Sequence, residues 1–157
     1  MTDKCVICGD YVPEGRQVCK MCELREPVEL VKALNKKTDT FTIPGELPGL
    51  NEIINMCKWH WGVYRKIKQD NTDMIALIAK TKVKRKYEKI NLDITWVCKN
   101  RRQDKDNIMA GTKFILDGLV SAGIIQNDGW AQVGRLSHDW QVDKHNPRIE
   151  VTITEVG

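Results

Sequence analysis

No segment of this chain approaches the roughly 20 consecutive apolar residues that a membrane-spanning helix requires. The most apolar short run covers only residues 75–79, which excludes a helical membrane protein. The first residues hold no apolar stretch of the kind a secretory signal uses, so the expected compartment is the cytoplasm. Internal repeats and low-complexity tracts are absent too. With 41% hydrophobic and 29% charged residues in 157, the composition is globular rather than disordered or fibrous. The length suits one domain of ordinary size with a small appendage.

What is present is unevenly spread. The formal net charge is only +4, yet residues 58–113 carry 15 basic and 6 acidic side chains, a net +9. The remainder carries 10 and 15, a net −5. A basic middle on a near-neutral chain suits either a face that meets a polyanion or a solvated lysine-rich surface. The run Lys80-Thr81-Lys82-Val83-Lys84-Arg85-Lys86 is denser than solubility requires. Phosphate contact by Lys82, Lys84, Arg85 and Lys86 is expected.

Six cysteines in a cytoplasmic protein point to metal or buried thiols, because disulfides are rare there. Cys5-x-x-Cys8 and Cys19-x-x-Cys22 stand ten residues apart. Two such pairs can place four thiolates around one tetrahedral Zn²⁺. Four protein ligands close the site, so the zinc would be structural. Cys57 and Cys98 fall on apolar periodic positions and read as buried thiols.

Three zones follow: a four-cysteine module over 1–23, a short helix and linker over 24–40, and a mixed α/β body over 41–157. Pro27-Val28-Glu29-Leu30-Val31-Lys32-Ala33-Leu34 has helical spacing. The body opens with a short strand, Phe41-Thr42-Ile43-Pro44, broken by Pro and Gly. The apolar period of Ile53, Ile54, Cys57, Trp61, Tyr64 and Ile67 predicts one long helix over 50–79, with a possible interruption at 70–73. Alternation at Ile90, Leu92, Ile94 and Trp96 predicts a half-buried strand over 87–97. A second helix is predicted over 104–122, stopped by Gly123. Strands over 133–142 and 148–155 complete a β-α-β-α-β-β order, an α+β body with a mixed sheet of about four strands. Trp59, Trp61 and Tyr64 are assigned chiefly to the core, with base stacking or a dimer interface as alternatives.

The chemistry concentrates in Arg101-Arg102-Gln103-Asp104-Lys105-Asp106-Asn107. Two carboxylates sit one residue apart at the start of a helix, and Asp128 follows that helix. Mg²⁺ takes hard oxygen ligands and keeps several waters, so one to three carboxylates suffice. A metal there could activate water and neutralise a scissile phosphate. The flanking Lys99, Arg101, Arg102 and Lys105 would offset carboxylate repulsion of DNA. The plainer reading makes Asp104 a helix cap and Asp106 a partner of the helix dipole. Lys113, seven residues after Asp106, would share that face of the helix. It could contact a phosphate or simply pair with Asp117 at i,i+4.

The body resembles the RusA family of Holliday-junction resolvases of phages and prophages. The likeness rests on Phe41-Thr42-Ile43-Pro44 through Asn51, on Asp104-Lys105-Asp106-Asn107 as D-x-D-N, on Lys113 through Gly123 with Asn127-Asp128, and on the closing strand 148–155. The resemblance implies a Mg²⁺-dependent homodimeric endonuclease (Mn²⁺ substituting) that nicks opposing strands of a four-way junction. It makes Asp104, Asp106 and Asp128 the metal ligands, Lys113 the helix lysine, and Asn51 a polar residue of the N-terminal turn. Lys113 lies about one turn further from the acidic pair than in shorter members. Many members have a double aspartate where this chain has Asn127-Asp128. The cysteine module is an addition to the minimal pattern. The rival reading is a zinc-containing, non-catalytic DNA-binding accessory or regulatory protein.

Overall fold

The computed structural model describes residues 3–5, 9, 11–15, 17, 19–20 and 36–157. The chain divides into two compact units, residues 1–36 with Gly157, and residues 37–156.

In the first unit, β1 (Asp3–Lys4) pairs antiparallel with β2 (Tyr11–Val12). Between them the Gly9 N–H donates to the Cys5 carbonyl at 2.9 Å. Cys5 is buried and Cys19 half-buried. Cys8, Cys22 and the helix expected over 27–34 lie outside the described residues.

The second unit is the α+β body. Its strands are β3 (Thr38–Pro44), β4 (Ile90–Cys98), β5 (Val133–Val142) and β6 (Arg148–Glu155), in the order β3-β6-β4-β5. β6 runs antiparallel to both neighbours, and β5 runs parallel to β4. The register puts Ile43, Ile149 and Trp96 in one row, and Phe41, Val151 and Ile94 in the next. All six are buried, because alternate residues of each strand share a face. β5 is an edge strand with no buried residue.

Helices α1 (Leu50–Trp59), α2 (Trp61–Lys82), α3 (Lys105–Met109) and α4 (Thr112–Ser121) complete the described unit. Ile75 and Ala79 of α2 join Phe114, Ile115 and Leu119 of α4 in the same core. The two helices approach closely at Gly118. A Cβ there would lie 2.5 Å from Ile75 Cγ2.

The expected long helix is two helices. His60 is extended (φ −162°, ψ 117°) and its Nδ1 accepts the Gly62 N–H at 3.1 Å, which starts α2 afresh. Residues 70–73 do not interrupt α2. There Asn71 donates to the Ile67 carbonyl and Gln69 to Asp73, so the polar groups are satisfied along the helix itself. The helix expected over 104–122 is also two, broken at Ala110 and Gly111, and a Cβ on Gly111 would lie 3.1 Å from the Trp96 ring, a tight fit. Gly123 takes φ 71° just after α4, the left-handed stop its sequence position indicated.

Two burial expectations are corrected. Cys57 is exposed because α1 buries none of its residues, whereas Cys98 is buried as expected. Trp59 and Trp61 stand 89% and 62% exposed at the α1–α2 break, so neither is a core residue.

Candidate functional site

β4 ends at Cys98, and the chain turns through Lys99–Gln103 before α3 begins. Asp104 is the N-cap residue of α3, in extended conformation, but its carboxylate makes no capping hydrogen bond. The cap reading therefore holds for the backbone alone. Asp106 follows in the first turn, and both aspartates are exposed.

Asn107 ties this corner together, a role the sequence did not reveal. Its Oδ1 accepts the Asn51 N–H at 2.8 Å, and its Nδ2 donates to Gln103 Oε1 at 3.0 Å. At the start of α1, Glu52 Oε2 accepts the Gly49 N–H at 3.0 Å. The amide of Asn107 packs so tightly on Gly49 that a Cβ there would come within 2.6 Å. Asn51 thus enters the site through its backbone, docking the start of α1 on α3, whose first turn and cap carry the acidic pair.

Lys113 opens α4. Because α3 and α4 are separate helices, Lys113 and Asp106 do not share one continuous helix face. Lys113 Nζ instead lies 2.7 Å from Asp117 Oδ1 and 2.7 Å from Asp128 Oδ2. Lys68 of α2 reaches Asp117 from the other side at 3.2 Å. The fold thus brings Asp128 to Lys113 across fifteen residues, and the i,i+4 pair with Asp117 forms as well.

The charges bias one another. The hydrogen bonds that the Lys113 ammonium donates to Asp117, and then to Asp128, hold its pKa above the ordinary lysine range. The Lys113 hydrogen bond holds the Asp128 carboxyl below its ordinary range. Lys113 is accordingly a fixed cation near neutral pH. It suits stabilisation of developing negative charge, not proton abstraction.

Among the described residues no three His, Cys, Asp or Glu side chains converge closely enough to hold a metal ion. What fits Mg²⁺ is the donor chemistry: exposed hard-oxygen carboxylates at Asp104 and Asp106. That ion needs only one or two protein carboxylates alongside its waters.

The expected DNA contacts separate into two groups. Arg101, Arg102 and Lys105 are exposed beside the acidic pair, and Lys105 Nζ sits 4.7 Å from the Trp140 ring centre. Trp140 belongs to a stack with His138 and Trp96. Trp96 donates to His138 Nδ1, and burial lowers the pKa of that imidazole. Lys82, Lys84, Arg85 and Lys86 lie at the opposite end of β4, whose nine residues separate them from the acids by about 30 Å. There Arg85 pairs with Asp39 at 3.0 Å, and Lys84 donates to the Lys80 carbonyl.

No helix among the described residues is long and apolar enough to cross a membrane. No curated protein is significantly similar to the chain. The family model for the endodeoxyribonuclease RusA matches residues 63–154. That segment, more than half of the chain, runs from the first turn of α2 into β6. It contains Asp104, Asp106, Lys113 and Asp128, and leaves β3, α1 and Asn51 outside. The chain therefore belongs to the RusA endodeoxyribonuclease family.

Proposed function

We propose that the protein is a Mg²⁺-dependent nuclease that resolves four-way DNA junctions, cutting two opposing strands symmetrically as a homodimer. The observation that carries this reading is the family match over the segment holding the acidic pair and the Lys113–Asp128 contact. A Mg²⁺ ion held by Asp104 and Asp106 would supply Lewis-acid activation of water at the scissile phosphate, while Asp128, the third ligand the resemblance implies, rests on Lys113. Lys113 would stabilise charge on the departing 3′ oxygen. Arg101, Arg102 and Lys105 counter the repulsion between the carboxylates and the DNA. The distant run Lys82, Lys84, Arg85 and Lys86 would grip a junction arm through its phosphates, giving salt-sensitive affinity. Two symmetric cuts require two sites, which a twofold dimer provides. The same proposal places the protein in the cytoplasm of a bacterial cell carrying a phage or prophage.

A labelled mobile four-way junction is expected to receive paired symmetric nicks in Mg²⁺ or Mn²⁺ and none in EDTA. Junction binding without nicking in either ion would overturn the catalytic assignment.

The four-cysteine module is proposed to hold one structural zinc on Cys5, Cys8, Cys19 and Cys22. Its support is the paired C-x-x-C spacing and the hydrogen bond from the Gly9 N–H to the Cys5 carbonyl. Elemental analysis should find about one zinc per chain, lost in a Cys19→Ser/Cys22→Ser variant. A wild-type protein free of zinc would refute the assignment.

A further inference from the structure

Beside the Lys113–Asp128 contact lies a groove whose α2 wall the proposed cleavage chemistry does not use. Trp61, Tyr64, Arg65, Lys68 and Thr72 of α2 form one wall, and Asp117, Asn127 and Asp128 line the other side. Trp61 is 62% exposed, and the Arg65 guanidinium sits 5.0 Å from its ring centre. Thr72 is only 8% exposed, and its buried Oγ1 has no hydrogen-bond partner among the described residues. A helical threonine normally bonds back to a carbonyl one turn earlier, so this buried hydroxyl stands ready for a polar group entering the groove.

The charges also have a direction. The two carboxylates in the groove are neutralised, Asp117 by Lys68 and Lys113, and Asp128 by Lys113. Arg65 pairs with no carboxylate among the described residues. The groove therefore presents an aromatic ring, an unneutralised cation and an unpaired hydroxyl. Aromatic rings with flanking cations bind single-stranded nucleic acid, since every base offers a π-face and its backbone is anionic. A base inside a duplex cannot reach such a ring, whereas an unstacked one can.

We propose that this groove receives an unstacked nucleotide of the DNA strand, its base on Trp61, its polar edge toward Thr72, and flanking phosphates on Arg65 and Lys68. The proposal rests on the nuclease reading for its substrate. It adds a subsite that selects DNA whose stacking is interrupted next to the cut.

The test places 2-aminopurine at the branch point of a four-way junction and, separately, within a short single strand. Binding is followed in EDTA, so that no cleavage intervenes. The full-length wild type should quench the probe in both DNAs. Trp61→Ala should lose most of the quenching and on the order of tenfold in affinity, while Trp61→Phe retains both. Thr72→Val should lose severalfold. Unchanged affinity and quenching in Trp61→Ala would overturn the proposal. So would a wild type that quenches neither probe. A Trp61→Ala variant that falls from dimer to monomer in sedimentation, with quenching intact, would make the face a self-interface and equally overturn it. The two readings fail separately. A protein that never nicks junctions but shows Trp61-dependent quenching of the single strand loses the resolvase reading and keeps the groove. One that nicks normally with Trp61 irrelevant does the reverse.

Discussion

Asp106→Asn should lower Mg²⁺-dependent junction cleavage on the order of a thousandfold while junction affinity holds or rises. The substitution keeps the shape of the side chain and removes its charge. A loss of that size corresponds to about 4 kcal/mol of transition-state stabilisation, the scale seen when one group that stabilises developing charge is deleted. Binding should survive because one fewer carboxylate faces the phosphates, while Arg101, Arg102 and Lys105 remain. Asp106 is exposed, in the first turn of α3. Its replacement should therefore leave the thermal midpoint almost unchanged, apart from a few tenths of a kcal/mol from the helix dipole. Rates and affinities are read on the same labelled junction. Cleavage at the wild-type rate would show that Asp106 merely starts a helix.

Gly118→Val should destabilise the protein by roughly 3 kcal/mol. The Cβ alone would stand 2.5 Å from Ile75 Cγ2 and 2.9 Å from Ile75 Cβ. Ile75 is fully buried and has nowhere to move. The helices must then part, and contacts across the interior of α2 and α4 are lost. Urea unfolding should show a lower midpoint at an unchanged slope. The double variant Gly118→Val/Ile75→Ala should lose less than the sum of its single variants, because the second change makes room for the first. A wild-type midpoint in Gly118→Val would mean that α2 and α4 are not this close in solution.

Much of the body was legible where a single local rule decides. Ile90, Leu92, Ile94 and Trp96 alternate because only one face of β4 meets the helices, and that alternation is written directly in the sequence. Gly123 stops α4 because a left-handed residue is needed there. The break at His60 was not legible, since apolar residues keep their helical spacing across it. Only the acceptor on His60 and the weak helix former Gly62 betray it. The order β3-β6-β4-β5 depends on pairings between strands distant in sequence, more than a hundred residues apart for β3 and β6, on which periodicity is silent. At the site, the acidic pair stood out as a motif. The meeting of Lys113 with Asp128 required the fold, and so did the role of Asn107, which acts by holding the Asn51 backbone. The exposed tryptophans were missed for a related reason. Trp61 lies on the apolar spacing of a helix, but that stripe begins before anything is there to cover it.

The last strand in sequence order, β6, is hydrogen-bonded on both sides, to β3 and to β4. During synthesis, β3, α1, α2, β4 and the loop carrying Asp104 and Asp106 all emerge before the strand that joins them. Until Arg148 and the residues after it arrive, β3 has no partner in the sheet, and β4 can pair only with the edge strand β5. Such long-range closure is slow compared with helix formation. The sheet that supports the corner with Asp104 and Asp106 therefore closes only after β6 has joined β3 to β4.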